Sequence, residues 1–128
     1  MNLEQSLIKL RPKISFDEVH SNPLQQFQDY TLRPILKLQH DKIIAIYYDY
    51  LSTHKINLMH FSSIEINTIV EKSVQQNLAL NSLLKGLIIG LFTSDEITFW
   101  KSNKTAVNKR IQQLIIKRIQ DALAVAKL

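Results

Sequence analysis

Apolar residues recur at helical spacing over most of this chain. Across 23–51, Leu24, Phe27, Ile35, Leu38, Ile46 and Tyr50 share one side of a helix, and Leu32, Leu36, Ile43 and Tyr47 widen that side to more than half the circumference. So broad a stripe predicts a long helix with neighbours on two sides. Pro34 lies inside it and removes the amide that would bond the carbonyl of Tyr30, so a kink is expected there. Asp29 with Arg33 and Lys37 with Asp41 are i,i+4 pairs assigned to the opposite, wet side. A helix over 63–76 turns Ile66, Ile69, Val70 and Val74 inward, and a last helix over 104–126 does the same with Val107, Ile111, Leu114, Ile115, Ile119, Ala122 and Ala126. Between them, 78–91 carries Leu78, Leu80, Leu83, Leu84, Leu87, Ile88, Ile89 and Leu91, which point in every direction. A helix apolar all round is expected inside a bundle. Short helices over 3–10 and 94–102 complete the pattern, the first ended by Arg11-Pro12. The stretch 13–21 reads as irregular chain, pinned to the body by Ile14 and Phe16.

Three helix starts are written locally. Phe61-Ser62-Ser63-Ile64-Glu65-Ile66 and, 31 residues on, Phe92-Thr93-Ser94-Asp95-Glu96-Ile97 each combine a capping box with a hydrophobic staple. Asn22-Pro23 supplies a preferred cap residue followed by proline at the first helical position. The flanks of the two capping boxes do not match, so the same physical solution is used twice and no structural repeat is implied.

Composition agrees with this reading. Two glycines and three prolines in 128 residues are too few for the turns of an all-β chain. The length suits a single domain over 1–128. Without cysteine there is no disulfide, thiolate metal site or cysteine nucleophile. The amino terminus lacks the basic and apolar regions of a secretory signal, and the longest apolar run, 83–92, is interrupted by Lys85 and too short to span a bilayer. A cytoplasmic, bacterial-type location without membrane insertion is the expectation. The net charge of +5 is concentrated at the end of the chain, where residues 101–128 carry +6. Lys101, Lys104, Lys109, Arg110 and Lys117 are therefore candidate contacts for nucleic acid or another anion, against the alternative of a solvated helix face.

Three further groups bear on function. Gly86 and Gly90, the two glycines of the whole chain, lie four apart on the most apolar helix. Each costs roughly 1 kcal/mol relative to alanine, and close approach of another helix backbone is the expected compensation. A ligand lying on bare backbone is the alternative. Arg118 falls among Val107, Ile111, Ile115 and Ala122 at about 100° per residue. Gln28 and Gln39 fall on the apolar side of the long helix. A guanidinium so placed must snorkel to water or find acceptors. Gln28, Gln39, Asp49 and Arg118 are thus a candidate buried polar cluster, read either as structural or as an anion pocket. His20, His40, His54 and His60 form no metal-binding pair on a helix face. There is no phosphate loop, nucleophile elbow or carboxylate pair at useful spacing. Tyr47, Tyr48 and Tyr50 wrap round a helix and cannot make one stacking platform.

The segments 31–39 (TLRPILKLQ), 86–93 (GLIIGLFT) and 108–121, from Asn108-Lys109-Arg110-Ile111 to Arg118-Ile119-Gln120-Asp121, resemble a small all-α family of Bacteroidetes bacteria. That family has no established activity, so the resemblance implies an all-α fold and transfers no catalytic residue. Members are sometimes named glyoxalase. The residues here do not support the name, because metal-dependent glyoxalases use paired βαβββ units with strand-borne His and Glu ligands.

These observations predict an all-α bundle of five or six helices with 78–91 at its centre. The expected protein is non-catalytic, needs no cofactor or metal, and acts by self-association as a homodimer or by binding a protein partner. Nucleic-acid binding through the basic end and small-ligand binding near Arg118 are the alternatives.

Overall fold

The computed structural model describes residues 2–13 and 22–127, so Ile14, Phe16 and His20 lie outside the described residues. Eight α-helical segments follow in chain order: α1 (Leu3–Lys9), α2 (Pro23–Phe27), α3 (Arg33–Leu38), α4 (His40–Thr53), α5 (Ser63–Gln76), α6 (Leu78–Ile89), α7 (Ser94–Ser102) and α8 (Lys104–Lys127). A π turn, Gln28–Leu32, joins α2 to α3, so these run as one helical body, and among the described residues the bundle has 7 helices and no strand. Five or six were expected.

The added helix comes from the predicted 23–51 element, which bends twice. The π turn sits immediately before Pro34, where the missing amide leaves the helical ladder one donor short. The second break is at Gln39, which leaves helical geometry at φ −92°, ψ 6°. No proline or glycine marks that break. The Gln39 side chain donates to the Leu87 carbonyl at 3.1 Å, so the corner is tied to α6.

The three predicted caps form. Ser62 with Glu65 and Thr93 with Glu96 complete capping boxes, and the Asn22 side chain accepts from Leu24 and Gln25 with Pro23 in the first turn. Asn2 with Gln5 builds a further capping box and Asn77 caps α6. α4 closes differently. Lys55 takes φ 55°, Ile56 N–H bonds the Leu51 carbonyl at 2.9 Å and Lys55 N–H bonds that of Ser52 at 3.1 Å. This is the Schellman pattern with lysine where glycine is usual; the left-handed residue costs about 1–2 kcal/mol.

The core is centred on α8, which packs against α4, α5, α6, α7 and the π turn. Val107, Ile111, Ile115 and Ile119 are fully buried along it, opposite Ile43 and Tyr47 of α4, Val70 and Val74 of α5, and Leu84 and Ile88 of α6. Phe27 stacks on Phe99 and meets Phe92 edge-on, which ties the π-turn end to α7. α6 is not the centre. It buries Leu80, Leu84 and Ile88 against α5 and α8, while Leu78 is 79% and Leu83 52% exposed. The described residues cover α6 through α4, α5 and α8, with Leu87 and Ile89 partly packed against the core, and leave the side bearing Ala79, Leu83 and Gly86 exposed.

Candidate functional site

Arg118 is where sequence and structure meet most informatively. Its helix angle directs it toward the bundle, and the side chain emerges half-buried in a cleft of about 540 Å³ between the start of α4 and the end of α8. Leu36, Leu114, Ala122 and Val125 form apolar walls, and Arg33, His40, Lys117 and Asp121 supply the polar ones. Arg118 Nη1 donates to His40 Nδ1 at 3.2 Å. A guanidinium has no acceptor, so Nδ1 must accept and the His40 proton sits on Nε2. Burial, and next the like charge of Arg33, lower the Arg118 pKa from its ordinary value; Asp121 partly opposes them. Two neighbouring cations are already satisfied. Arg33 Nε bonds Asp29 Oδ1 at 3.0 Å, and Lys117 Nζ bonds Asp121 Oδ1 at 3.0 Å.

The predicted cluster of Gln28, Gln39, Asp49 and Arg118 does not form. Arg118 does bridge to the long helical region, but to His40, one residue beyond Gln39. Gln28 accepts from Arg110 at 2.7 Å, Gln39 is spent on the Leu87 carbonyl, and Asp49 is exposed. The shared helical angle of the two glutamines was separated by the π turn and the Gln39 corner, which rotate successive segments. Asp29, assigned to the wet side, is buried at the π turn although its bond to Arg33 forms as expected.

The glycines are corrected as well. A Cβ built on Gly86 meets nothing within 4 Å, so no helix among the described residues packs closely there. Gly90 has a local reason: its Cβ would lie 2.9 Å from the Gly86 carbonyl oxygen. Both residues lie on the exposed side of α6.

The basic residues do not make one stripe. Lys101 is on α7, and Lys104, Lys109 and Lys117 point in three directions around α8 at about 100° per residue. Lys104 sits over the Trp100 ring at 4.9 Å, and Arg110 is half-buried against Gln25 and Gln28. Tyr47 is buried and bonded to Ser73 Oγ at 2.9 Å, whereas Tyr48 is exposed, so the tyrosines share no platform. Among the described residues no three His, Asp or Glu side chains gather to hold a metal, and no helix is long and apolar enough to cross a membrane.

One buried polar cluster escaped the sequence. Arg11 lays Nη1 and Nη2 on the two carboxylate oxygens of Glu96 at 2.7 and 2.6 Å, and Nη2 also donates to the Leu91 carbonyl at 2.9 Å. Thr31 Oγ1 donates to Glu96 Oε2 at 2.9 Å, and the Thr93 amide to Oε1 at 2.8 Å. Burial raises the Glu96 pKa, but the bonds from Arg11 and Thr93, the Arg11 charge and the Thr31 hydroxyl outweigh it and leave the carboxyl below its ordinary value. Glu96 was legible only as a capping residue. Its spare acceptor capacity was the available signal, and it pointed to no particular donor. The cluster docks α1, which buries no residue of its own, onto the start of α7. With both Glu96 oxygens and both terminal nitrogens of Arg11 committed, and Arg11 Nε left unpartnered, it has the character of a clasp.

Compared with known proteins, the chain matches no family model, no curated protein and no solved structure.

Proposed function

We propose that this protein is non-catalytic and acts by self-association, through the outer face of α6. The observation that carries the reading is the bare backbone at Gly86. A glycine in a helix interior costs about 1 kcal/mol, and here no contact from the described residues makes use of the missing side chain. A neighbour from outside the chain would use it.

The same face carries what a two-fold interface needs. Ala79, Leu83 and Gly86 run along it, with Leu78 at the margin, and none of these residues is charged. In an antiparallel pairing the Leu83 side chain of one copy can seat over Gly86 of the other, and the reverse, because knob and hollow lie one turn apart. An uncovered face on the most apolar helix is the usual mark of such a contact.

Sedimentation velocity over a concentration series tests this. A dimer should populate in the micromolar range, and Leu83→Glu should abolish it without lowering the thermal midpoint of dilute, unassociated protein, since Leu83 is already 52% exposed. A chain that stays monomeric at high micromolar concentration would remove the proposal.

A further inference from the structure

The Arg118 cleft shares no residue with the α6 face and has no part in the proposed association. Its charge balance is unusual. Arg33 is matched by Asp29 and Lys117 by Asp121, at 3.0 Å each, so among the described residues no carboxylate is bonded to Arg118, although Asp121 lies in the same cleft and acts on it at longer range. A guanidinium presents five N–H donors. Among the described residues one of those of Arg118 has a protein acceptor, His40 Nδ1. The cation is held half-buried beside a second arginine, a position that an arriving anion would relieve. Around it the walls are aliphatic: Leu36, Leu114, Ala122 and Val125.

We infer that the cleft binds a small organic carboxylate, a monoanion with an apolar body. The planar fork of arginine matches a carboxylate through two parallel N–H···O bonds. One uncompensated positive charge balances one negative charge, so a phosphate dianion would leave an excess charge in a half-buried site. Aliphatic walls add affinity for a hydrocarbon tail and none for an inorganic ion. At about 540 Å³ the cleft falls within the range of small-molecule sites. His40, by accepting from Nη1, holds the guanidinium plane in place before the ligand arrives. It is a positioning residue.

The test is isothermal titration calorimetry at low ionic strength with three probes: hexanoate, its neutral counterpart hexanamide, and inorganic phosphate. Hexanoate should saturate one site, with hexanamide and phosphate each at least roughly tenfold weaker, because each lacks one half of the recognition. Arg118→Met, which keeps most of the volume, should weaken hexanoate by roughly tenfold or more. Val125→Asp is an independent probe at a position 72% exposed, where folding is not at stake; it should repel the carboxylate and weaken hexanoate at least severalfold. Absence of hexanoate binding at low millimolar concentration, hexanamide binding as tightly as hexanoate, phosphate binding more tightly, or undiminished binding by folded Arg118→Met would each overturn the inference.

Discussion

Removing the Glu96 carboxylate should cost more than removing the arginine it binds. Glu96→Ala deletes four hydrogen bonds at once: two from Arg11, one from Thr31 and one from the Thr93 amide. It leaves the Arg11 side chain, only 7% exposed, with the Leu91 carbonyl as its remaining partner and with Nε already unpartnered. Guanidinium cannot shed its proton to escape, so the stranded charge costs about 3–5 kcal/mol, and the broken capping box adds about 1 kcal/mol. Undocking of α1 is the one relief available, and it caps the loss at the free energy that holds α1 in place. Arg11→Ala is milder. Glu96 keeps Thr31 and Thr93, and a carboxyl can take up a proton, so about 1–3 kcal/mol is expected. Urea melts of both single variants and the double variant close a cycle, and the coupling should exceed about 2 kcal/mol. The acid limb gives an independent reading. Because the native Glu96 pKa is depressed, its contribution is complete above the unfolded value of 4.5 and is lost as pH falls below it through the native value. Glu96→Gln should therefore be closest to the parent at low pH and furthest from it at neutral pH. Equal costs for the two single variants, with additive behaviour in the double, would refute the reasoning.

Two further outcomes follow from the structure. In dilute protein, below any association, Gly86→Ala should stabilise by about 0.4–1 kcal/mol, because its Cβ meets nothing, whereas Gly90→Ala should destabilise, its Cβ falling 2.9 Å from the Gly86 carbonyl oxygen. Thermal melts that shift in the same direction for both would contradict this. At the alkaline end, burial raises the Tyr47 pKa to about 12, with the Ser73 bond partly opposing it and Tyr50 adding slightly. The native state holds this proton where the unfolded chain has lost it, so stability should fall as pH rises from 10 toward 12, more steeply than in Tyr47→Phe; parallel curves for the two proteins would show that Tyr47 does not titrate this way.

What the sequence reveals depends on how far apart the interacting atoms are along the chain. Helix starts are local chemistry, and Ser62 with Glu65, Thr93 with Glu96 and Asn22 with Pro23 were legible because cap and partner sit within one turn. The inward residues of α8 were legible for the related reason that a helix angle follows from spacing alone. Partners are another matter. Arg11 and Glu96 are 85 positions apart, and neither residue names the other. Arg118 was correctly aimed inward, yet its acceptor turned out to be His40, because the break at Gln39 moved the neighbouring side chains out of the register that a straight helix would have kept.

α6 shows what a sequence pattern can say about a surface. Its pattern demanded neighbours on every side, and the described residues supply them where Leu80, Leu84 and Ile88 are buried and, in part, at Leu87 and Ile89, but not along Ala79, Leu83 and Gly86. Had the outer side been free to face water, polar residues there would have cost the fold nothing, and alanine in place of Gly86 would have strengthened the helix. The mismatch is physical information about a surface. Leu83 beside Gly86, exposed and used by neither the core nor a polar role, is the pair on which the proposed self-association rests.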